Sequence, residues 1–297
     1  MSRVGTDVEV SFEGAGTILR KILDVDKQTL AMKRFDVAKL GELLDEAYQK
    51  QGRKPSDRVK KSFAPSGVGY GSGTCPRQWF YSFTGGIMRD EAADSPGVAN
   101  MSYGTDAHAR LQQVFEDAGI LVEAERPISS GDVKYLEDED RWIPLFSDDD
   151  EYAPIFGFAD LIIKWQGEEC VGEIKTTTQE SFISKRSKNT PAGYHLLQVL
   201  IYMKMLGLNK GFIIYENKNN QQLLILPVTW NVANEKLAND ALEWMRKVHD
   251  NWKSGQLPTR PFNSDRSPAC KSCPFTKHCW EDSNDGTVTL PVLEVPK

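Results

Sequence analysis

The sequence has no uninterrupted apolar run of the roughly 18 residues that a membrane span requires, so it offers no transmembrane helix and no membrane partner is expected. Its first residues, Met1 to Gly14, lack a basic stretch followed by an apolar one, which predicts no secretory signal and a cytoplasmic location. Cysteine is scarce, at 5 in 297 residues, which argues against a secreted disulfide scaffold; in a reducing compartment, clustered cysteines more often bind metal. A glycine-rich loop closed by Lys-Ser or Lys-Thr is missing, which excludes a P-loop motor. An excess of positive charge is missing as well. The net charge of −6 disfavours a uniformly basic nucleic-acid-binding surface, but it is compatible with an acidic cation-holding centre beside a local positive groove. Internal repeats and sharp breaks in composition are also absent.

What remains is an ordinary globular composition, 40% hydrophobic and 26% charged, long enough for one large core or two modest ones. Val8–Val10 and Thr17–Leu19 suit short strands. Asp36 suits the N-cap of a helix with Val37, Leu40, Leu43, Leu44 and Ala47 on one face. Residues 51–74 suit a loop leading to Cys75, with a short helical stretch around Trp79 to Phe83 after it. Thr105 is the expected cap of a helix whose Ala107, His108, Leu111, Phe115 and Ala118 share a face, stopped by Gly119. Strands are predicted over 120–128, near 142–146, and over 155–165 and 169–176, the last two joined by a tight turn at Gln166-Gly167-Glu168. A helix over 192–206, a hairpin of 211–215 with 223–228, and a helix over 235–253 follow. This order predicts a mixed α/β (α+β) domain with a central mixed sheet flanked by helices. The acidic runs Glu137–Asp140 and Asp148–Asp150 read as solvated loops. Basic stretches occur at Arg53-Lys54 with Arg58, Lys60 and Lys61, and at Lys185-Arg186-Ser187-Lys188.

The chemistry concentrates in Gly157-Phe158-Ala159-Asp160 and Gly172-Glu173-Ile174-Lys175. Asp160 interrupts an apolar strand. Glu173 and Lys175, two apart on the next strand, point to one face. Burying such charges is costly unless they pair or hold a metal. Two carboxylates suit Mg²⁺ or Mn²⁺, ions that activate water and offset charge developing on phosphorus, and a lysine would add a point charge beside them. A structural salt bridge from Lys175 to either carboxylate accounts for the same short pattern. His108 falls on the apolar face of its helix, as a satisfied core histidine or as a neutral imidazole ligand. Gln198 and Tyr202 stand one turn apart and share a helix face.

In this order, His108, Asp160, Glu173-x-Lys175 and Gln198-x-x-x-Tyr202, the sequence resembles the RecB-like branch of the PD-(D/E)XK nucleases. The resemblance implies a restriction-endonuclease-like core and a DNA exonuclease hydrolysing phosphodiesters from free ends. Asp160, Glu173, Lys175, Gln198 and Tyr202 would be its catalytic residues, and His108, Asp160, Glu173 and the Ile174 carbonyl its metal ligands. Arg77, Lys185 and Arg186 are candidates for contacts to the DNA backbone. Trp79 and Tyr81 could stack on bases, although core packing suits both. Glu116, Glu123 and Glu125 are further acidic residues that could support the metal, although acidic residues near a helix end or on a strand edge are ordinary. Such a protein would act alone or with a separate helicase or recombinase, in recombination, repair, phage DNA processing or CRISPR adaptation. A catalytically silent binding module is the alternative.

Cys270, Cys273 and Cys279 form a C-x2-C-x5-C run, and Cys75 or Cys170 is available as a fourth thiolate. Cys75, like Cys273, precedes a proline; Cys170 reads as a small buried hydrophobe. Spacing alone leaves zinc open, with His278 as a substitute ligand. The resemblance implies a 4Fe-4S cluster on Cys75, Cys270, Cys273 and Cys279, closing a nuclease domain of residues 61–297 behind an N-terminal helical extension of residues 1–60.

Overall fold

The computed structural model describes residues 37–51, 59–88 and 94–296. The strands expected at Val8–Val10 and Thr17–Leu19, the Asp36 cap, and Arg53, Lys54 and Arg58 lie outside those residues. The chain divides between Gln51 and Gly52. On the first side, helix α1 (Val37–Gln51) is amphipathic, and Val37, Leu40, Leu43 and Leu44 are all exposed on it.

On the second side the elements follow in the order α2 (Pro76–Thr84), α3 (Ser95–Asp117), β1 (Leu121–Ser129), β2 (Asp132–Leu136), β3 (Arg141–Leu145), β4 (Phe156–Trp165), β5 (Glu168–Thr177), α4 (Gln179–Lys188), α5 (Gly193–Leu206), β6 (Lys210–Asn217), β7 (Leu223–Thr229), α6 (Val232–Lys253), α7 (Pro268–Lys271) and α8 (Thr276–Glu281). A five-stranded mixed sheet runs β1-β4-β5-β6-β7, and β2 with β3 forms a small separate hairpin. Among the described residues of this sheet, β5 and β6 pair in parallel and the other neighbours antiparallel; α4 and α5 make the crossover that parallel pairing demands. The mixed α/β fold with helices flanking a central sheet is thus the one expected.

Apolar faces decide the layering. Leu111 of α3 packs with Leu161, Ile174 and Ile214. Leu200 and Met203 of α5, with Ala238 of α6, pack with Val171, Ile213 and Leu226 on a separate core. The turn between β4 and β5 holds Gln166 and Gly167 at positive φ, 53° and 86°, as tight hairpins of right-twisted strands require. Gly172 is a close-approach position: a Cβ there would stand 2.4 Å from the Phe212 ring.

Two local expectations are corrected. Thr105 does not begin its helix. Asp94 does, accepting the Gly97 N–H at 2.8 Å ahead of a proline in the first turn, while the Thr105 hydroxyl donates back to the Met101 carbonyl in mid-helix. Residues 51–74 are not wholly loop, since Gly71–Thr74 form a 3-10 turn and Phe63 is a buried residue bridging to Ile155.

Candidate active site

Antiparallel pairing of β4 and β5 runs from Trp165 opposite Glu168 to Leu161 opposite Gly172. One step further the ladder gives way to a side chain: Asp160 Oδ2 accepts the Ile174 N–H at 2.6 Å. This bond satisfies one oxygen of a carboxylate that is only 6% exposed. The other, Oδ1, lies 3.4 Å from His108 Nδ1, brought in by α3. Burial alone would lower the His108 pKa, but the Asp160 hydrogen bond and charge raise it.

Glu173 is 2% exposed. Its Oε1 meets Lys175 Nζ at 2.5 Å and accepts from Gln198 Nε2 at 2.7 Å. Gln198 also donates to the Tyr202 hydroxyl at 2.7 Å, as two residues on one face of α5 can. Glu173 Oε2 is buried with no partner among the described residues. Burial and then the Asp160 charge push the Glu173 carboxyl up to about 8, against the pull of Lys175. Burial and the Glu173 charge also raise Tyr202 well above the ordinary phenol range.

Among the described residues, one group of three or more metal-ligating side chains brings its atoms within 4.8 Å of one another: His108, Glu125 and Asp160. Glu125 arrives by an irregularity. It has a positive φ of 51° beyond a register shift in β1, a conformation that re-aims a side chain at a backbone cost. Gln112 holds it, donating 2.7 Å to Glu125 Oε1 and 3.1 Å to the Asp160 carbonyl. Burial raises the Glu125 pKa. Glu116 and Glu123 are outside this group, and Glu123 instead pairs with Arg126 at 3.2 Å. Two carboxylates, an imidazole and the orphaned Glu173 oxygen make a donor set of the kind that hard divalent cations take.

Arg77 is not free to contact a DNA backbone. It is 1% exposed, and its guanidinium donates to the Pro258 and Asn284 carbonyls at 2.8 and 2.7 Å, tying α2 to the C-terminal segment. Trp79 is a core residue whose indole N–H donates to the Gly73 carbonyl, and Tyr81 is buried with its hydroxyl on Asp282. Lys185 is half-buried and Arg186 exposed, both on α4.

Cys75, Cys270, Cys273 and Cys279 line one pocket together with Arg77 and Gln78. Burial pushes the Cys75 thiol up to about 12 and the Cys273 thiol up to about 11. Arg77 Nε and Gln78 Oε1 are buried there without a partner among the described residues. Cys170 is buried in the sheet core, and His278 packs edge-on against the Tyr81 ring.

Residues 126–280 match the family model described as the PD-(D/E)XK nuclease superfamily, a span that takes in Asp160, Glu173, Lys175, Gln198, Tyr202 and the C-terminal cysteines. Among solved structures, the chain is similar to SSO0001, at 16% identity and a TM-score of 0.41 over 81% of this chain and 96% of that one. It is also similar to an alkaline exonuclease, LHK-Exo, from Laribacter hongkongensis, at 14% identity and a TM-score of 0.43 over 70% of this chain and 95% of that one. The same exonuclease in complex with dAMP matches at 14% identity and a TM-score of 0.43, over 65% of this chain and 91% of that one. No curated protein matches the sequence.

Proposed function

Because this chain belongs to the PD-(D/E)XK nuclease superfamily, we propose that it is a divalent-metal-dependent DNA exonuclease that hydrolyses phosphodiester bonds from DNA ends. The observation that carries the reading is the state of Glu173: its Oε1 is taken by Lys175 and Gln198, and its Oε2 is buried without a partner beside the Asp160 charge. A purely structural salt bridge has no use for that second, unpaired oxygen, whereas a cation held by Glu173 would satisfy it. Asp160, Glu173, His108 and the Ile174 carbonyl, with Glu125 added, are the assigned holders of Mg²⁺ or Mn²⁺. Such an ion, when bound, supplies Lewis acidity toward the phosphoryl oxygen and a lowered pKa for water. Lys175 Nζ carries a fixed positive charge to orient the attacking water and offset charge on the phosphorus. Gln198, braced by Tyr202, holds Glu173 Oε1 and would leave Oε2 as the oxygen available to a cation.

For the cysteine pocket we propose a 4Fe-4S cluster on Cys75, Cys270, Cys273 and Cys279. The donor set fits: four thiols surround one space, and the buried Arg77 charge with its unpartnered Nε–H suits an anionic occupant. Zinc fits less well. Tetrahedral Zn–S bonds would hold all four sulfurs within roughly 4 Å of one another. Among the described residues no three cysteine sulfurs come within 4.8 Å of each other. The cluster would tie α2 to the C-terminal segment and close a nuclease domain of residues 61–297, with residues 1–60 as an extension. A separate helicase or recombinase is the partner this assignment anticipates.

The test is digestion of end-labelled linear DNA beside circular single-stranded DNA, with Mg²⁺ or Mn²⁺, by anaerobically purified wild type and Lys175→Ala. Loss of linear DNA alone, abolished by the substitution, is the expected result. Cleavage of circles would remove the exonuclease assignment. Inertness toward both substrates with the cluster intact would replace it with a DNA-binding module.

A further inference from the structure

Next to the carboxylate centre lies a cavity that shares Lys175 and Gln198 with it but is otherwise lined by residues the centre does not use. It encloses about 250 Å³, and its wall includes Tyr70, Lys175, Lys185, Tyr194 and His195. None of these belongs to the metal-holding group, although Lys175 is the charge assigned to the reacting phosphate.

The hydrogen bonding of His195 decides what it offers. The Ala192 N–H donates to the Tyr215 hydroxyl oxygen at 3.1 Å, so that hydroxyl already accepts and its own proton needs an acceptor. His195 Nδ1, 2.8 Å away, is the acceptor the structure provides. The Tyr215 O–H therefore donates to Nδ1, and the proton of the neutral imidazole sits on Nε2. Nε2 has no hydrogen-bond partner among the described residues, and it is not one of the buried atoms sealed from solvent. It is left as a free N–H donor on a residue that lines the cavity. Burial, then the charges of Lys175 and Lys185, push the His195 pKa down to about 3, so the ring stays neutral at working pH.

Two further features complete a built site. Lys185 Nζ donates to Ser181 Oγ at 2.6 Å and lies 5.0 Å from the Tyr215 ring centre, so its charge is braced rather than trailing into solvent. Tyr70 and Tyr194 pair with ring centroids 4.8 Å apart, and Tyr70 is 57% exposed. A fixed cation and a neutral N–H donor suit a phosphodiester; an exposed aromatic face beside them suits an unstacked base.

We propose that this cavity is a nucleotide subsite for single-stranded DNA, in which the phosphodiester neighbouring the one cut at Lys175 rests on Lys185 and His195 Nε2–H while its base lies on Tyr70. The proposal rests on the nuclease assignment for its position beside the scissile bond, but its binding chemistry is its own. A duplex base has both faces covered by its neighbours, so only a frayed or single strand can use the Tyr70 face. Tyr215 is a positioning residue, acting through the tautomer of His195.

The test is fluorescence anisotropy with a short labelled oligothymidylate, beside a blunt duplex of similar length, in EDTA. Tyr70→Ala is expected to weaken oligothymidylate binding by about tenfold and to leave duplex binding unchanged. His195→Leu should weaken it too, and His195→Gln, which keeps an N–H donor, should recover part of the loss. Tyr215→Phe should resemble His195→Leu in oligothymidylate binding, with some loss of melting temperature because the Ala192 N–H also loses its acceptor. In cleavage assays the same variants should raise KM for single strands and hold kcat. Unchanged oligothymidylate affinity in a folded Tyr70→Ala would overturn the subsite, as would equal losses for single strand and duplex. If His195→Leu fails to fold, the exposed Tyr70 decides alone. Binding losses in a protein that cuts no DNA would keep the subsite and remove the nuclease assignment; normal cutting with unchanged affinities would do the reverse.

Discussion

Gln198 Nε2 donates to Glu173 Oε1 at 2.7 Å, so helix α5 determines which oxygen of the buried carboxylate is occupied and which is left free. The same amide donates to Tyr202, and no rotation of the Gln198 side chain keeps both bonds while exposing Oε1. In the proposed metal centre the Gln-x-x-x-Tyr pair would therefore act indirectly, through Glu173.

Replacing Gln198 by Leu should weaken the support without removing a ligand. Partners of this kind typically contribute about 10–100-fold in metal affinity or activity. The half-saturating Mn²⁺ concentration for DNA cleavage should rise within that range, with maximal rate recovered in part at high metal. Loss of rate at every Mn²⁺ concentration, with no shift in half-saturation, would mean that Gln198 acts on DNA instead.

Glu173 makes the metal-free protein sensitive to alkali. Its carboxyl is raised from 4.5 to about 8 by burial and the Asp160 charge, so between those values the folded chain binds a proton that the unfolded chain has released. That contribution to stability is complete below the unfolded value and is lost as pH rises through the folded one. In EDTA the melting temperature should fall between about pH 4.5 and about pH 8 and level off above that, and Glu173→Gln, uncharged throughout, should flatten the profile. An unchanged slope in the variant would assign the titration to another group.

The fold and much of the candidate centre were legible because their signals are periodic. Alternation put Glu173 and Lys175 on one face of a strand, and one helical turn joined Gln198 to Tyr202. What periodicity does not encode was missed. Only Phe182 is buried on α4, so a helix with no apolar stripe read as a basic stretch. Glu125 reaches Asp160 through a positive φ past a register shift, leaving it no more conspicuous in sequence than Glu116 or Glu123. Arg77 looked available for DNA because nothing near it in sequence reveals the Pro258 and Asn284 carbonyls that bury it. Tyr70 and Tyr194 meet only in the folded chain.

The cysteine pocket predicts a simple contrast. Cys273→Ser should abolish bound iron and visible absorbance in anaerobically purified protein and lower the melting temperature, because α2 would keep Arg77 as a tie to the C-terminal segment but lose the cluster. Cys170→Ser should retain the iron, since Cys170 sits in the sheet core rather than in the pocket. Elemental analysis returning zinc in place of iron would remove the cluster assignment while keeping the four-thiolate one.

Glu125→Gln tests whether the irregular residue of β1 belongs to the metal centre. The substitution keeps the size of the side chain and lets Gln112 remain nearby, but it removes the negative charge that lies within 4.8 Å of His108 and Asp160. As a ligand, Glu125 should show its loss mainly in metal affinity: the half-saturating Mn²⁺ should rise about tenfold or more while the melting temperature in EDTA holds or rises. The rise is expected because burial already raises the Glu125 pKa, so its charged form is disfavoured in the metal-free fold. If Glu125→Gln instead lowers the metal-free melting temperature and leaves the Mn²⁺ requirement untouched, the residue braces Gln112 and the Asp160 carbonyl, and the metal is held by His108, Asp160 and Glu173 without it.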